Sequence, residues 1–115
     1  MRKRYDVKIT LYAKQQLIAI KNYILKMYSA TSVVQNLLTK FSVTFKSLEY
    51  MPKRHKIISE AIGRRENIRK IKQNNFYVYY WVNDENNTVY ILDIVYVKAN
   101  QDLALKMMYK VVEKN

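Results

Sequence analysis

Apolar and polar residues alternate along the second half of the chain in a pattern that predicts a small β-sheet. Three β-rich runs span residues 68–73, 76–82 and 88–97, and Asn/Asp clusters at 74–75 and 83–87 separate them. β-Branched and aromatic residues suit a pleated sheet, whereas Asn and Asp accept the left-handed backbone of tight turns. The pattern therefore predicts a three-stranded antiparallel meander.

The first half of the chain shows helical spacing instead. After a short alternating run at residues 5–9, apolar residues recur every three or four positions between 11 and 27 and again between 34 and 48. Pro52 ends the second run, because proline cannot continue a helix. The pattern predicts a strand that joins the edge of the sheet, followed by two amphipathic helices whose apolar stripes belong to the core.

A third helical pattern closes the chain. Asn100 or Asp102 suits the N-cap position, and Leu105, Met108 and Val112 share one side of the helix that would follow. Together these patterns predict an α+β fold: a helical hairpin packed on one face of a small antiparallel sheet, with a short C-terminal helix. The 115 residues fit a single domain that spans the whole chain.

Composition restricts the classes of function. The chain has no cysteine, which rules out a disulfide framework and a thiolate metal site, and we expect a cytoplasmic location. The only glycine, Gly63, cannot form a glycine-rich phosphate loop, and no His/Asp pattern of metal ligands is present. No apolar run reaches the length of a membrane span. We therefore expect no cofactor, no metal and no membrane partner.

Positive charge is concentrated between the second helix and the sheet. The formal net charge is +12, and residues 53–72 carry eight Lys/Arg against Glu60 and Glu66. A focused positive field attracts polyanions or an acidic protein. The simpler alternative is a solvated basic surface that has no partner.

The order and spacing of these elements resemble the RelE/ParE superfamily of bacterial toxins along nearly the whole chain. The motifs that carry the resemblance are Ala13 with Leu17, Leu48 with Pro52, Ile68-Arg69, the aromatic run 76–80, and Asn83-Asp84. The long helical hairpin resembles ParE-like members more than RelE-like members, whose helices are often shorter. The resemblance implies a type II toxin, an acidic cognate antitoxin as its partner, and DNA gyrase as the first candidate target.

RelE-like members cut messenger RNA on the ribosome, and this activity is the alternative that the resemblance leaves open. These enzymes usually hold an arginine after the first aromatic residue of the third strand, where this chain has Tyr77. Near the end of the last strand they often carry His, Arg or Tyr, and the corresponding stretch here includes Tyr96 and Lys98. The missing arginine favours an inhibitor that is not an enzyme. A third alternative is a basic nucleic-acid-binding module without toxicity.

Candidate site residues follow from this chemistry. Metal-free RNA cleavage needs a base, an acid, and cations that stabilise the phosphorane. The candidates for catalysis are Arg69, Tyr77, Tyr96, Lys98 and His55, with Glu60 and Glu66 as further proton-transfer groups and Arg65 and Lys72 as further cations. The residues expected to bind the antitoxin or the target are Arg64, Arg65, Arg69 and Lys72.

Several of these residues also have a purely structural interpretation. His55 follows a helix within a basic cluster, where a solvated surface histidine is the commoner case. Arg69 can pair with Glu66 or guard an edge strand. Tyr79 and Trp81 can stack on bases, but aromatic residues in a central strand more often belong to the core or the sheet face.

Overall fold

The computed structural model describes residues 3–29, 31–58 and 66–114. The elements in chain order are β1 (Asp6–Ile9), α1 (Leu11–Tyr28), α2 (Thr31–Ser47), a 3₁₀ turn (Pro52–Arg54), β2 (Arg69–Gln73), β3 (Phe76–Asn83), β4 (Thr88–Tyr96) and α3 (Gln101–Lys114). Within these ranges the predicted α+β fold is confirmed, with the helical pair before the meander and the short helix after it. No helix in the described ranges is long and apolar enough to cross a membrane.

The meander of β2, β3 and β4 is the predicted one. Gln73 lies opposite Phe76 in the first hairpin, and Asn83 lies opposite Thr88 in the second. Asn74 turns the first hairpin with a φ of 54°, which is the left-handed backbone that asparagine accepts. The predicted bounds of the three strands differ from the observed ones by one residue at most.

β1 lies at the edge of the sheet beside β4, so the described strands have the order β1-β4-β3-β2. It runs parallel to β4, with Asp6 opposite Thr88 and Ile9 opposite Ile91. The sheet is therefore mixed, whereas the sequence pattern predicted an antiparallel one. A parallel neighbour needs a long crossover connection, and α1 and α2 lie within that connection.

Thr10 joins β1 to α1. Its backbone N–H and its Oγ1 both donate to the carbonyl of Ile91, at 3.1 and 2.9 Å. The same Oγ1 accepts a hydrogen bond from the N–H of Ala13 at 3.2 Å, so Thr10 is the N-cap of α1. One residue therefore ends the pairing of β1 with β4 and starts the helix.

Apolar side chains cover both faces of the sheet. On the face toward α1 and α2, the buried residues include Ala13, Phe41, Leu48, Val78 and Ile91. On the face toward α3, they include Ile68, Tyr79, Leu92, Leu105 and Met108. Tyr79 is thus part of the core, in agreement with its structural interpretation. Trp81 is half-buried on the α3 face and stacks on Tyr90, with ring centroids 5.7 Å apart.

The start of α3 depends on two polar side chains. Asn100 is the N-cap, because its Oδ1 accepts a hydrogen bond from the N–H of Leu103 at 3.1 Å. Asp102, the other residue considered for this role, lies inside the first turn of the helix. Tyr79 donates a hydrogen bond from its hydroxyl to Oε1 of Gln101 at 2.7 Å, which fixes the helix to the sheet.

Leu48 offers a test of the core on the hairpin face. We expect Leu48→Ala to lower the free energy of unfolding by about 2–4 kcal/mol, because the fully buried side chain would leave a cavity. The matched control is Val43→Ala on α2, whose side chain is 65% exposed and should change stability by less than about 0.5 kcal/mol. Urea denaturation of the two variants measures the difference, and equal losses would contradict the described packing.

Candidate functional site

Two arginines of the basic segment, Arg54 and Arg69, form hydrogen bonds within the protein. Arg69, the first residue of β2, donates from Nη1 to the carbonyls of His55 at 2.6 Å and Lys53 at 3.2 Å. Arg54 donates from Nη1 to the carbonyls of Tyr50 and Met51 at 2.9 and 3.1 Å, just past the end of α2. Both guanidinium groups thus satisfy main-chain acceptors: Arg69 holds the 3₁₀ turn against the sheet, and Arg54 holds it against the end of α2.

His55 is half-buried beneath these arginines. Its ring meets the ring of Tyr80 edge-on, with centroids 6.4 Å apart, and its buried Nε2 has no hydrogen-bond partner in the described part of the chain. Burial lowers the pKa of His55, and the charges of Arg54 and Arg69 lower it further. The imidazole is therefore neutral at pH 7 and poorly suited to donate a proton to a leaving group.

Tyr80 fixes the same segment from the sheet. It is fully buried and donates a hydrogen bond from its hydroxyl to the carbonyl of Pro52 at 2.6 Å. Burial raises the pKa of Tyr80 to about 12, although the charges of Arg69 and Arg54 oppose the shift. The phenol consequently stays protonated and serves as a structural donor.

On the opposite face of the meander, Tyr77 lies beneath an ammonium group. Nζ of Lys70 is 4.2 Å from the centroid of the Tyr77 ring and 5.9 Å from that of Tyr79. Lys72 is exposed on this face of β2 and lies opposite Tyr77 in the register. Our sequence reasoning did not single out Lys70, although its position two residues before Lys72 in a strand places both on one face.

The candidates for catalysis do not converge among the described residues. Arg69 lies at one end of β2, while Gln73 at the other end pairs with Phe76, which in turn pairs with Tyr96. Four residues of strand separate these levels by about 13 Å. Lys98 is exposed in the turn after β4, beyond Tyr96. Arg69 is level with Tyr80 and Ile91, near the middle of β3 and β4, whereas Tyr96 lies at the end of β4, so the two side chains are well separated along the sheet.

The residues predicted to bind the antitoxin or the target, together with the remaining candidates for catalysis, fall into two groups. Arg69 and Lys72 are three residues apart in β2 and so lie on opposite faces of the sheet. Arg64, Arg65 and Glu60 lie outside the described residues. Among the described residues, no group of three His, Asp or Glu side chains could hold a metal ion.

Tyr96 belongs to a cleft between α1 and α3 that sequence reasoning did not predict. Its ring is 43% exposed and tilts onto Phe76, with centroids 5.9 Å apart. Two hollows of about 610 and 590 Å³ share Ile20, Phe76 and Tyr96 in their linings, and we refer to them together as the α1–α3 groove. The hollow that lies next to α3 is lined by residues that include Tyr12, Ile20, Asp93, Tyr96, Leu103 and Met107.

Asp93 lies at the floor of the groove and is only 3% exposed. Its Oδ1 accepts a hydrogen bond from the N–H of Ile94 at 2.8 Å. Burial raises the pKa of Asp93 to about 7, and the hydrogen bond from Ile94 opposes part of the shift. Burial also raises the pKa of Tyr12, with a further contribution from the charge of Asp93. A sequence signal for Asp93 exists, since it is the only charged residue in the apolar run 88–97.

The mixed sheet, the helical pair before it and the short helix after it define the scaffold of the small RelE/ParE toxins. A family model for the ParE toxin of type II toxin–antitoxin systems, parDE, matches residues 7–100. The chain therefore belongs to the ParE toxin family. No curated protein matches the sequence significantly.

Solved structures support the same fold. One is a chain of the chromosomal ParDE toxin–antitoxin system from P. aeruginosa, with a TM-score of 0.68 and 15% identity over 84% of this chain and 99% of that one. Another is a chain of the RelBE2 toxin–antitoxin complex from Mycobacterium tuberculosis, with a TM-score of 0.52 and 20% identity over 81% of this chain and 98% of that one. At these identities the likeness concerns the fold alone.

The carbonyl contacts of Arg69 predict a stability effect. We expect Arg69→Met to lower the free energy of unfolding by about 1–3 kcal/mol, because the carbonyls of Lys53 and His55 lose their donor. Lys72→Met in the same strand is the control, since Lys72 is exposed and should change stability little. Chemical denaturation compares the two, and an unchanged stability of Arg69→Met would refute the structural role.

Asp93 predicts a pH dependence of stability. Its pKa in the folded protein is raised from 3.8 to about 7, so folding favours the protonated form. Stability is then lost as the pH rises from about 4 to about 7, on the order of 2–4 kcal/mol. Asp93→Asn keeps an acceptor for the Ile94 N–H but cannot ionise, and it should not show this loss.

Denaturation of both proteins at a series of pH values measures the effect. The difference between wild type and variant cancels the opposite contribution of His55, whose lowered pKa reduces stability as the pH falls. Parallel stability curves for the two proteins would show that Asp93 ionises normally.

Proposed function

We propose that this ParE-family toxin stops growth by binding its target and not by cutting RNA, with DNA gyrase as the first target to test. The observation that supports this proposal is the separation of Arg69 from Tyr96 by four residues of strand, about 13 Å along the sheet. Catalysis of RNA cleavage needs the proton-transfer groups and the cations around one phosphate.

The commitment of the arginines within the protein supports the same conclusion. Arg69 and Arg54 donate to main-chain carbonyls, and a cation held in this way is not free to stabilise a phosphorane. Tyr77 stands where RelE-like enzymes have an arginine, and a phenol with a reference pKa of about 10 is neutral at pH 7. On the face of the sheet that carries Tyr77, the positive charges of β2 come from Lys70 and Lys72.

A RelE-like ribonuclease is the second candidate, and one observation favours it. Lys70 holds its ammonium group 4.2 Å above the ring of Tyr77, so a cation does stand near the position of the missing arginine. Lys72 lies on the same face of β2. A lysine cluster at this point could contribute to phosphate stabilisation if the ribosome supplied the remaining groups.

The partner we propose is an acidic cognate antitoxin. Both solved structures named above come from toxin–antitoxin systems, and the net charge of +12 suits an acidic segment. Gyrase and ribosomes both act in the cytoplasm, which is where we place the protein. Because Arg54 and Arg69 are bonded internally, exposed lysines would provide most of the electrostatic attraction.

The two mechanisms are separated by assaying the purified protein on both targets. We expect inhibition of supercoiling by DNA gyrase and no messenger cleavage on translating ribosomes. Lys70→Gln provides the variant for the alternative, since loss of an electrostatic contact to the transition state costs on the order of 10²–10³ in rate. Lys40→Gln on the exposed surface of α2 is its control.

Cleavage that falls in Lys70→Gln but not in Lys40→Gln would establish the ribonuclease and refute the proposal. Inhibition of neither gyrase nor translation, with normal growth on induction, would favour the non-toxic nucleic-acid-binding module. That module is expected to bind nucleic acid directly, with an affinity that falls steeply with salt.

A further inference from the structure

β4 extends beyond the strand that pairs with it. β1 ends at Ile9, opposite Ile91, and Thr10 closes the pairing by donating two hydrogen bonds to the Ile91 carbonyl. The remaining stretch of β4, residues 92–96, has β3 on one side and no described strand on the other. We call this stretch the open edge of β4.

Two contacts indicate which main-chain groups face outward along the open edge. The N–H of Val97 donates to the Asn75 carbonyl at 2.9 Å, toward the β3 side, so the N–H of Tyr96 points the other way. The N–H of Ile94 has the same orientation, and it is taken by the side chain of Asp93 instead of a strand. Ile94 and Tyr96 therefore direct their N–H groups toward a further strand, whereas the carbonyl of Tyr96 already accepts from the N–H of Ala99 at 2.9 Å and from Nε2 of Gln101 at 2.8 Å.

The shift in register between β3 and β4 places Asp93 at this edge. Tyr80 lies opposite Ile91 and Tyr79 lies opposite Asp93, so Leu92 is an extra residue in β4. Such a bulge bends the strand and re-aims its side chains. A charged side chain turned inward at an edge is a known way to block pairing with other strands.

The outer strand on the other side of the sheet is protected differently. β2 carries Lys70 and Lys72, and lysines on an edge strand discourage further pairing. The open edge of β4 has apolar walls instead, formed on α1 by Tyr12 and Ile20 and on α3 by Leu103 and Met107. Leu103 and Met107 are 59% and 42% exposed, although apolar surface of this kind is favourable to bury.

We propose that the open edge of β4 receives an extended acidic segment of the antitoxin, which pairs with Ile94 and Tyr96 as a strand, and that Asp93 holds the Ile94 N–H until this segment binds. The inference rests on the antitoxin partner proposed above and names the surface it uses. An unpaired sheet edge forms main-chain hydrogen bonds with an extended segment, and the apolar walls of the groove favour apolar side chains at alternate positions of that segment.

The positive charge around the groove indicates which polar residues the bound segment carries. Three exposed lysines are close in sequence to residues that line the groove: Lys26 comes three residues after Tyr23, Lys98 lies two residues after Tyr96, and Lys106 precedes Met107. These charges favour Asp or Glu next to the apolar positions of the segment. Five residues of open edge correspond to about 17 Å, so the paired segment is about five residues long.

The test compares two substitutions at one residue. Tyr96→Pro removes the outward N–H, and proline is tolerated where a strand's N–H faces away from the ladder. Tyr96→Ala removes the same ring and keeps the N–H. With the purified protein encoded beside this gene as the expected antitoxin, Tyr96→Pro should bind at least about tenfold more weakly than Tyr96→Ala, the difference of one lost hydrogen bond.

Hydrogen exchange of the wild-type complex provides a second measurement that does not depend on the folding of a variant. The amides of Ile94 and Tyr96 should exchange more slowly in the complex than in the free toxin. Equal affinities of the two Tyr96 variants, together with unchanged exchange at both amides, would overturn the inference while leaving the proposed antitoxin in place.

Two further outcomes also count against the inference. Failure of the wild-type toxin to bind the neighbouring protein would refute the proposed partner, and the inference with it. A dimer of the toxin alone that is lost in Tyr96→Pro but kept in Tyr96→Ala would assign the open edge to a second copy of this chain.

Discussion

The geometry of this protein depends on the hydrogen bonds between Thr10 and the carbonyl of Ile91. They end β1 after four residues and start α1 at the same point, so the helical hairpin leaves the edge of the sheet beside the middle of β4. Because β1 stops there, the second half of β4 keeps one side unpaired. The core of the hairpin face and the open edge of β4 are thus consequences of one capping residue.

Three of the basic residues between positions 53 and 72 bond to other parts of the protein. Arg54 and Arg69 bond main-chain carbonyls, and Lys53 forms an ion pair with Asp84, which also accepts a hydrogen bond from Tyr5. Of these three cations, Lys53 is paired with a carboxylate, whereas the two guanidinium groups keep their positive charge because carbonyls are neutral acceptors. Lys72 on β2 and Lys26, Lys98 and Lys106 near the α1–α3 groove are exposed and add to the positive surface charge.

Asp93 protects the open edge of β4 from nonspecific pairing with other strands. A buried carboxyl costs stability, which its raised pKa expresses, and this one gains a single hydrogen bond from Ile94 in return. The same contact occupies a donor that another chain would otherwise use. Burial of Asp93 thus lowers the stability of the free toxin modestly. In return, Asp93 protects an edge to which, in our proposal, a specific partner still binds.

The amino-acid sequence by itself determined the local structure. Period-two alternation gave the three strands of the meander, helical spacing gave both hairpin helices, and Asn100 marked the start of α3, because each signal lies within a few neighbouring residues. Tertiary structure alone decided the parallel placement of β1, the separation of Arg69 from Tyr96 and the groove around Asp93. These features join residues far apart in the chain, so their geometry depends on how the elements pack and not on any local pattern.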